Sequence, residues 1–199
     1  MKSNLIRSSF IIAFFMMGLS SVQSQNKDAE QKEKKIQNQR EKFAQNKTNA
    51  LNEMYKAYPE SKAKMTKSYG YAAFANTGVN LLLVASGNGG GKAHNNTTGE
   101  EVYVKMISAG VGVGIGFKKY FAVFLFENKA AYDNFLDSGW GGDLQADATG
   151  DTGKEGEGGS VAVGMAVASG VTLYQVADKG LAVQATLQGT KFVVADELN

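Results

Sequence analysis

Three lysines, Lys62, Lys64 and Lys67, fall within residues 60–68 (ESKAKMTKS), just after a stretch that carries Met54 and Tyr58. Cations beside apolar side chains can meet the phosphates of a lipid surface, each basic residue adding about 1 kcal/mol near an anionic membrane. Other candidates for chemistry fail on spacing. GNGGGKA (residues 87–93) suggests a phosphate loop, yet GxxxxGK(S/T) needs glycine where Ser86 stands and a hydroxyl where Ala93 stands. Its flanks also read strand to strand. His94 is the single histidine, with no second histidine or cysteine near it in sequence, so it offers no legible metal site or nucleophile–base pair. Asp143, Asp147, Asp151, Glu155 and Glu157 lack the order of a helix–loop–helix calcium site and read as a solvated acidic loop. The sequence therefore predicts no enzyme, no catalytic residue, no metal and no cofactor.

A second feature is structural. Residues 109–117 read AGVGVGIGF, with glycine at every second position: Gly110, Gly112, Gly114 and Gly116. Strict alternation is the period of a strand, so one face is apolar and the other has no side chains. Each strand glycine costs about 0.5–1 kcal/mol relative to alanine, so the bare face should be covered by a helix, a ring, another backbone or a ligand. Close internal packing is the simpler use of these glycines, and a ligand groove is the alternative.

The elements that hold these residues follow from composition. Of 199 residues 24 are glycine and one is proline, Pro59; 43% are hydrophobic and none is cysteine. That mixture predicts a folded, β-rich chain with no disulfide framework. Lys2 and Arg7 precede an apolar run at residues 10–19, too short to cross a bilayer, and Val22-Gln23-Ser24 supplies small residues for a signal peptidase. Residues 1–24 therefore read as a signal peptide, and the mature protein as periplasmic or extracellular, peripherally attached to a membrane at most. Cleavage would remove two cations and leave 19 basic and 19 acidic residues. They are unevenly placed: residues 27–68 hold 11 basic and 6 acidic, and residues 69–199 hold 8 and 13. A basic arm on an acidic body can dock on that body, or face anionic lipid or an acidic partner. No nucleic-acid partner is expected.

Residues 25–58 are polar helix formers, with Ala29, Ile36, Phe43, Ala50 and Ala57 at every seventh position and Leu51, Met54 and Tyr58 thickening the stripe. We expect residues 25–47 to form a solvated helical arm and the helix to dock from about Thr48, ending at Pro59. Strands are predicted at 70–76, 78–86, 92–96 (a polar edge), 101–117, 120–126, 140–148, 160–169, 171–177, 180–187 and 190–195. Between them lie a flexible SGNGGG turn at 86–91, a hairpin turn at 97–100 and a helix at 129–137 capped by Asn128. A loop occupies 149–159. Trp140, between Gly139 and Gly141, reads as a cover for neighbouring glycines or as an interfacial anchor. The fold class is α+β: a curled antiparallel sheet, sandwich or barrel-like, with an N-terminal helix and one helix between strands. An outer-membrane barrel is disfavoured because YFAVFLF and NLLLVA do not alternate.

In this order the segments resemble a known family. SGNGGGK, AGVGVGIGF, YFAVFLFEN with KAAYDNFLDSG, WGGDLQADA and YQVADKGLAVQATLQGT are similar to the SYLF domain over residues 48–199. The firmest points are the glycine ladder, the helix ending at Ser138-Gly139, and Tyr174, Lys179-Gly180-Leu181 and Gly189. The chain departs from the family at Ala75-Asn76, where a proline is common, and in its polar residues 94–101. The resemblance implies a lipid-binding module with secreted bacterial relatives. Its basic and apolar lipid contacts would fall at residues 51–69, on Lys62, Lys64 and Lys67 with Met54 and Tyr58 alongside. The alternative from another class is an envelope interaction module that recruits a protein partner through the N-terminal helix.

Overall fold

The computed structural model describes residues 4–76, 89–108, 120–139, 154–155, 160–178 and 190–199. The chain divides into two units, Met1–Gln39 and Arg40–Asn199. The first is helical. Helix α1 (Asn4–Ala57) begins there, and its side chains at 27–35 are all exposed, as expected of a stretch with almost no apolar residues to bury.

In the second unit α1 continues without glycine or proline and stops against Pro59. The freed carbonyl of Tyr58 accepts from the Ser61 amide at 2.9 Å and from the Ser61 hydroxyl at 2.5 Å. That turn opens a short helix, α2 (Ser61–Lys67). Strands β1 (Gly70–Asn76), β2 (Gly89–Asn95), β3 (Glu101–Ser108) and β4 (Tyr120–Phe126) follow, then helix α3 (Lys129–Ser138). After it come β5 (Lys154–Glu155), β6 (Ser160–Ala168), β7 (Val171–Asp178), β8 (Thr190–Val194) and a closing 3-10 turn at Asp196–Leu198. Asn128 caps α3, its side-chain oxygen accepting from the Ala131 amide at 3.0 Å, and Gly139 ends it at φ 65°.

The strands form one antiparallel sheet in the order β5-β6-β7-β4-β1-β2-β3-β8. It is curled. Phe124 on β4 and Phe192 on β8 are four strand spacings apart, about 19 Å in a flat sheet, yet their rings are 5.1 Å apart. Phe74 on β1 lies 4.7 Å from the same Phe192 ring. These rings, with Phe126 and Leu173, fill the concave face, and α3 lies over it through Tyr132 and Phe135. On the opposite face Tyr71, Ala73, Phe121, Val123, Leu125 and Val176 are covered by Ala50, Met54 and Tyr58 of α1.

Several details depart from the sequence reading. Docking of α1 begins before Thr48, because Phe43 is 1% exposed and Asn46 3% exposed. Residues 89–91 are strand rather than turn, and β2 is an interior strand between β1 and β3 rather than an edge. The reason is close approach. The Phe43 ring lies where a side chain at Gly90 would point, and a side chain at Gly91 would meet the β1 backbone. Asn46 Nδ2 donates to the carbonyls of Ala75 and Gly90 at 3.0 and 2.9 Å, tying helix, β1 and β2 together. Within the expected 149–159 loop, Lys154–Glu155 pair with β6. The glycine ladder at 110–116 and Trp140 lie outside the described residues, as do the strands expected at 78–86, 140–148 and 180–187.

A Cβ at Gly90 would sit 2.2 Å from Phe43 Cζ. Gly90→Ala should therefore cost about 1–3 kcal/mol by overpacking, and Phe43→Ala about 3 kcal/mol or more by leaving a void. The double variant should lose less than the sum by at least about 1 kcal/mol, read by urea unfolding. Strict additivity would mean that the ring does not rest on this glycine.

Candidate functional site

Two polar clusters lie on the face of the sheet that carries α1. The first is the surface of α2. Lys62, Lys64 and Lys67 are exposed, and none forms an ion pair with a carboxylate among the described residues. Two of them sit over aromatic rings: Lys62 Nζ is 5.9 Å from the centre of Tyr55, and Lys64 Nζ 5.9 Å from that of Tyr174. A ring face attracts a cation, so these contacts orient the ammonium groups without neutralising them. Tyr55 is held in turn by α2, its hydroxyl donating to Met65 Sδ at 3.0 Å.

Met54 and Tyr58 do not share that surface. They are 1% and 2% exposed, and the Tyr58 ring packs at 5.1 Å on Tyr174. Their expected place alongside the lysines at a lipid surface is corrected by the i, i+4 periodicity of α1. That spacing puts both on the stripe with Ala50 that covers the sheet. The rings beside the lysines are instead those of Tyr55 and Tyr174. The close-packing glycines Gly110, Gly112, Gly114 and Gly116 fall outside the described residues, as do Asp143, Asp147, Asp151 and Glu157 of the acidic loop.

The second cluster is built on the β2–β3 hairpin. Its turn follows from Asn95, whose side-chain oxygen accepts from the amides of Thr97 and Thr98 at 2.8 and 3.2 Å, and from Gly99 at φ 76°. The hairpin register sets His94 opposite Glu101 and Lys92 opposite Tyr103. Glu101 is bonded through Oε1 to Lys47 of α1 and through Oε2 to Lys92. Lys92 Nζ also lies 4.5 Å from the centre of the Tyr103 ring, and Lys47 Nζ 5.4 Å from that of Tyr71. His94 stacks on Tyr71 at 5.1 Å, and its Nδ1 is 3.5 Å from Glu101 Oε1 with no hydrogen bond. Burial alone would raise the Glu101 carboxyl, but the bonds from Lys47 and Lys92 hold it down at about 2. Burial would lower Lys47, and the bond to Glu101 together with Tyr71 outweighs it, leaving the ammonium raised.

Sequence reasoning singled out His94 but missed its partners. The signal was available: Lys47 is four residues after Phe43 and three before Ala50, a charge set on the docking stripe. A partner carboxylate is the ordinary consequence of half-burying such a charge.

The chain is 35% identical over 149 residues to Beta cell expansion factor A of Aeromonas veronii, an alignment covering 75% of this chain and 54% of that protein. The chain spans about half the length of the curated relative it matches. No family model matches the chain.

Because Glu101 is held below the usual carboxylate range, its contribution to stability is complete above about pH 4.5 and is lost as pH falls toward about 2. At neutral pH Glu101→Gln should cost about 1–2 kcal/mol, less than the loss of a fully buried pair, since the side chain is 30% exposed. Chemical unfolding at a series of pH values checks this. The parent and variant curves should converge near pH 2, and parallel curves would contradict the assignment.

Proposed function

We propose that this chain is a SYLF-like protein of the secreted bacterial branch, acting without catalysis by associating with lipid or an anionic membrane surface through α2. The single observation that carries the reading is the set of three exposed lysines with no anionic partner among the described residues. Two of them are steadied over Tyr55 and Tyr174. Internal docking of the basic segment, the competing use of its charge, would have paired these lysines with carboxylates of the sheet. Within the segment that use is taken by Lys47 instead, which bonds to Glu101. The similarity to a SYLF protein supports a lipid-binding or non-catalytic role. Export, by the leader read at residues 1–24, would put the protein in the periplasm or outside the cell. Expansion of beta cells, which the relative's name describes, stays with that protein.

A second reading is favoured by α1. Its side chains at 27–35 are exposed, and a charged helix of this kind suits an envelope protein partner. Under that reading removal of residues 25–39 abolishes capture of the partner and leaves lipid behaviour unchanged.

Co-sedimentation with vesicles of phosphatidylcholine and phosphatidylserine tests the first reading. Binding should appear at low salt and fade at about 0.5 M, where the screening length drops below about 5 Å. Replacing Lys62, Lys64 and Lys67 by glutamate should weaken it at least about 100-fold, from about 1 kcal/mol per lost cation. Absence of binding to anionic vesicles, or binding indifferent to the three replacements, would end it.

A further inference from the structure

Among the described residues the buried polar side chains are those of Asn46, Ser61, Asn95 and Gln175. The first three are committed. Asn46 donates to the carbonyls of Ala75 and Gly90, Ser61 donates to that of Tyr58, and Asn95 accepts from the amides of Thr97 and Thr98. Gln175 is the exception. It is 0% exposed, and neither Nε2 nor Oε1 has a hydrogen-bond partner among the described residues. Burial strips water from an amide, so buried amides are nearly always paired with something else.

The strand register explains why no neighbour serves. Gln175 stands opposite Ala122, and Ala122 opposite Phe74. Val171 and Leu173, four and two residues back on β7, belong to the concave core, so Gln175 shares that face. Ala122 is too short to reach the amide and has no polar side-chain atom to offer. The hydroxyl-bearing rings of this core, Tyr132 and Tyr69, stack together at Phe126. That is four residues along β4 from Ala122, about 13 Å in an extended strand. The remaining side chains of the cluster are apolar, and none is charged.

We propose that Gln175 is the polar contact of an internal binding site for a neutral amphiphile, a molecule with an apolar chain and an uncharged hydroxyl group. The amide donates through Nε2 and accepts through Oε1, and a hydroxyl answers both. A charged headgroup is disfavoured by its own desolvation, since the described residues of this core hold no counter-ion. Leu173, Ala122 and Phe74 supply the apolar lining, and one convergent polar group in such a lining is the usual make-up of a small-molecule site. The sheet separates this site from the lysines of α2, so it stands apart from the surface reading and is measured with no membrane present.

Calorimetric titration of the full chain with decanol at neutral pH tests the proposal. Decanol should bind at one site, and sodium decanoate should bind at least about 10-fold more weakly, because its carboxylate is charged. Gln175→Met keeps the length of the side chain and removes the amide. It should stay folded by circular dichroism and bind decanol at least about 10-fold more weakly, the equivalent of about 1.4 kcal/mol for the lost hydrogen bonds. A second measurement needs no variant: in the isotope-labelled parent, the side-chain amide resonances of Gln175 should move as decanol is added. No binding of decanol, equal binding by parent and Gln175→Met, or equal affinity for decanoate would overturn the site. Amide resonances that decanol leaves in place would overturn it as well.

Discussion

Strand β4 is buried on both faces, with Phe121, Val123 and Leu125 on one side and Ala122, Phe124 and Phe126 on the other. A strand of this composition cannot lie in a sheet with one wet face, so two covers are required. The concave side is covered mainly by curling: β8 comes round until Phe192 meets Phe74 and Phe124, and α3 closes over the rings. The other side is covered by the docked half of α1. Burying Phe43, Met54 and Tyr58 contributes about 1.5–3 kcal/mol each, and packing of this kind supplies most of the stability of a helix in a protein.

That second cover determines where chemistry can occur. Residues on the docking stripe are committed to the sheet: Met54 and Tyr58 are core, Asn46 is spent on two strand carbonyls, and Lys47 is neutralised by Glu101. What α1 leaves free passes to α2, whose lysines point to solvent over aromatic rings. The division between bound and unbound cations follows the two helices: Lys47 lies on the docking stripe of α1, and Lys62, Lys64 and Lys67 lie on the exposed surface of α2.

Much of this was legible in the sequence. The bounds of β1 and β4 and the capped helix after Asn128 follow from local patterns: turn residues, an unbroken apolar run, an N-cap. So does the hairpin at residues 97–100. The curled antiparallel sheet with an N-terminal helix and one helix between strands is the architecture those patterns imply. Gly89, Gly90 and Gly91 were misread as a flexible turn because their role is non-local. Glycine there admits the Phe43 ring and the β1 backbone, a contact between residues 47 positions apart in the case of Phe43 and Gly90. The Glu101 cluster was invisible for the same reason, since its four charged or titratable members come from α1, β2 and β3. Helical phase already put Met54 and Tyr58 on the docking stripe, and the place alongside the lysines that the resemblance implied set that phase aside.

The account rests on α1 docking over residues 43–58 as an integral cover of the sheet. Native-state hydrogen exchange at neutral pH tests this most directly. The amides of Phe43, Ala50 and Met54 should open with free energies within about 1–2 kcal/mol of those of Val123 and Phe124 in β4. Exchange at those helical amides as fast as in the solvated segment at residues 27–35 would contradict it.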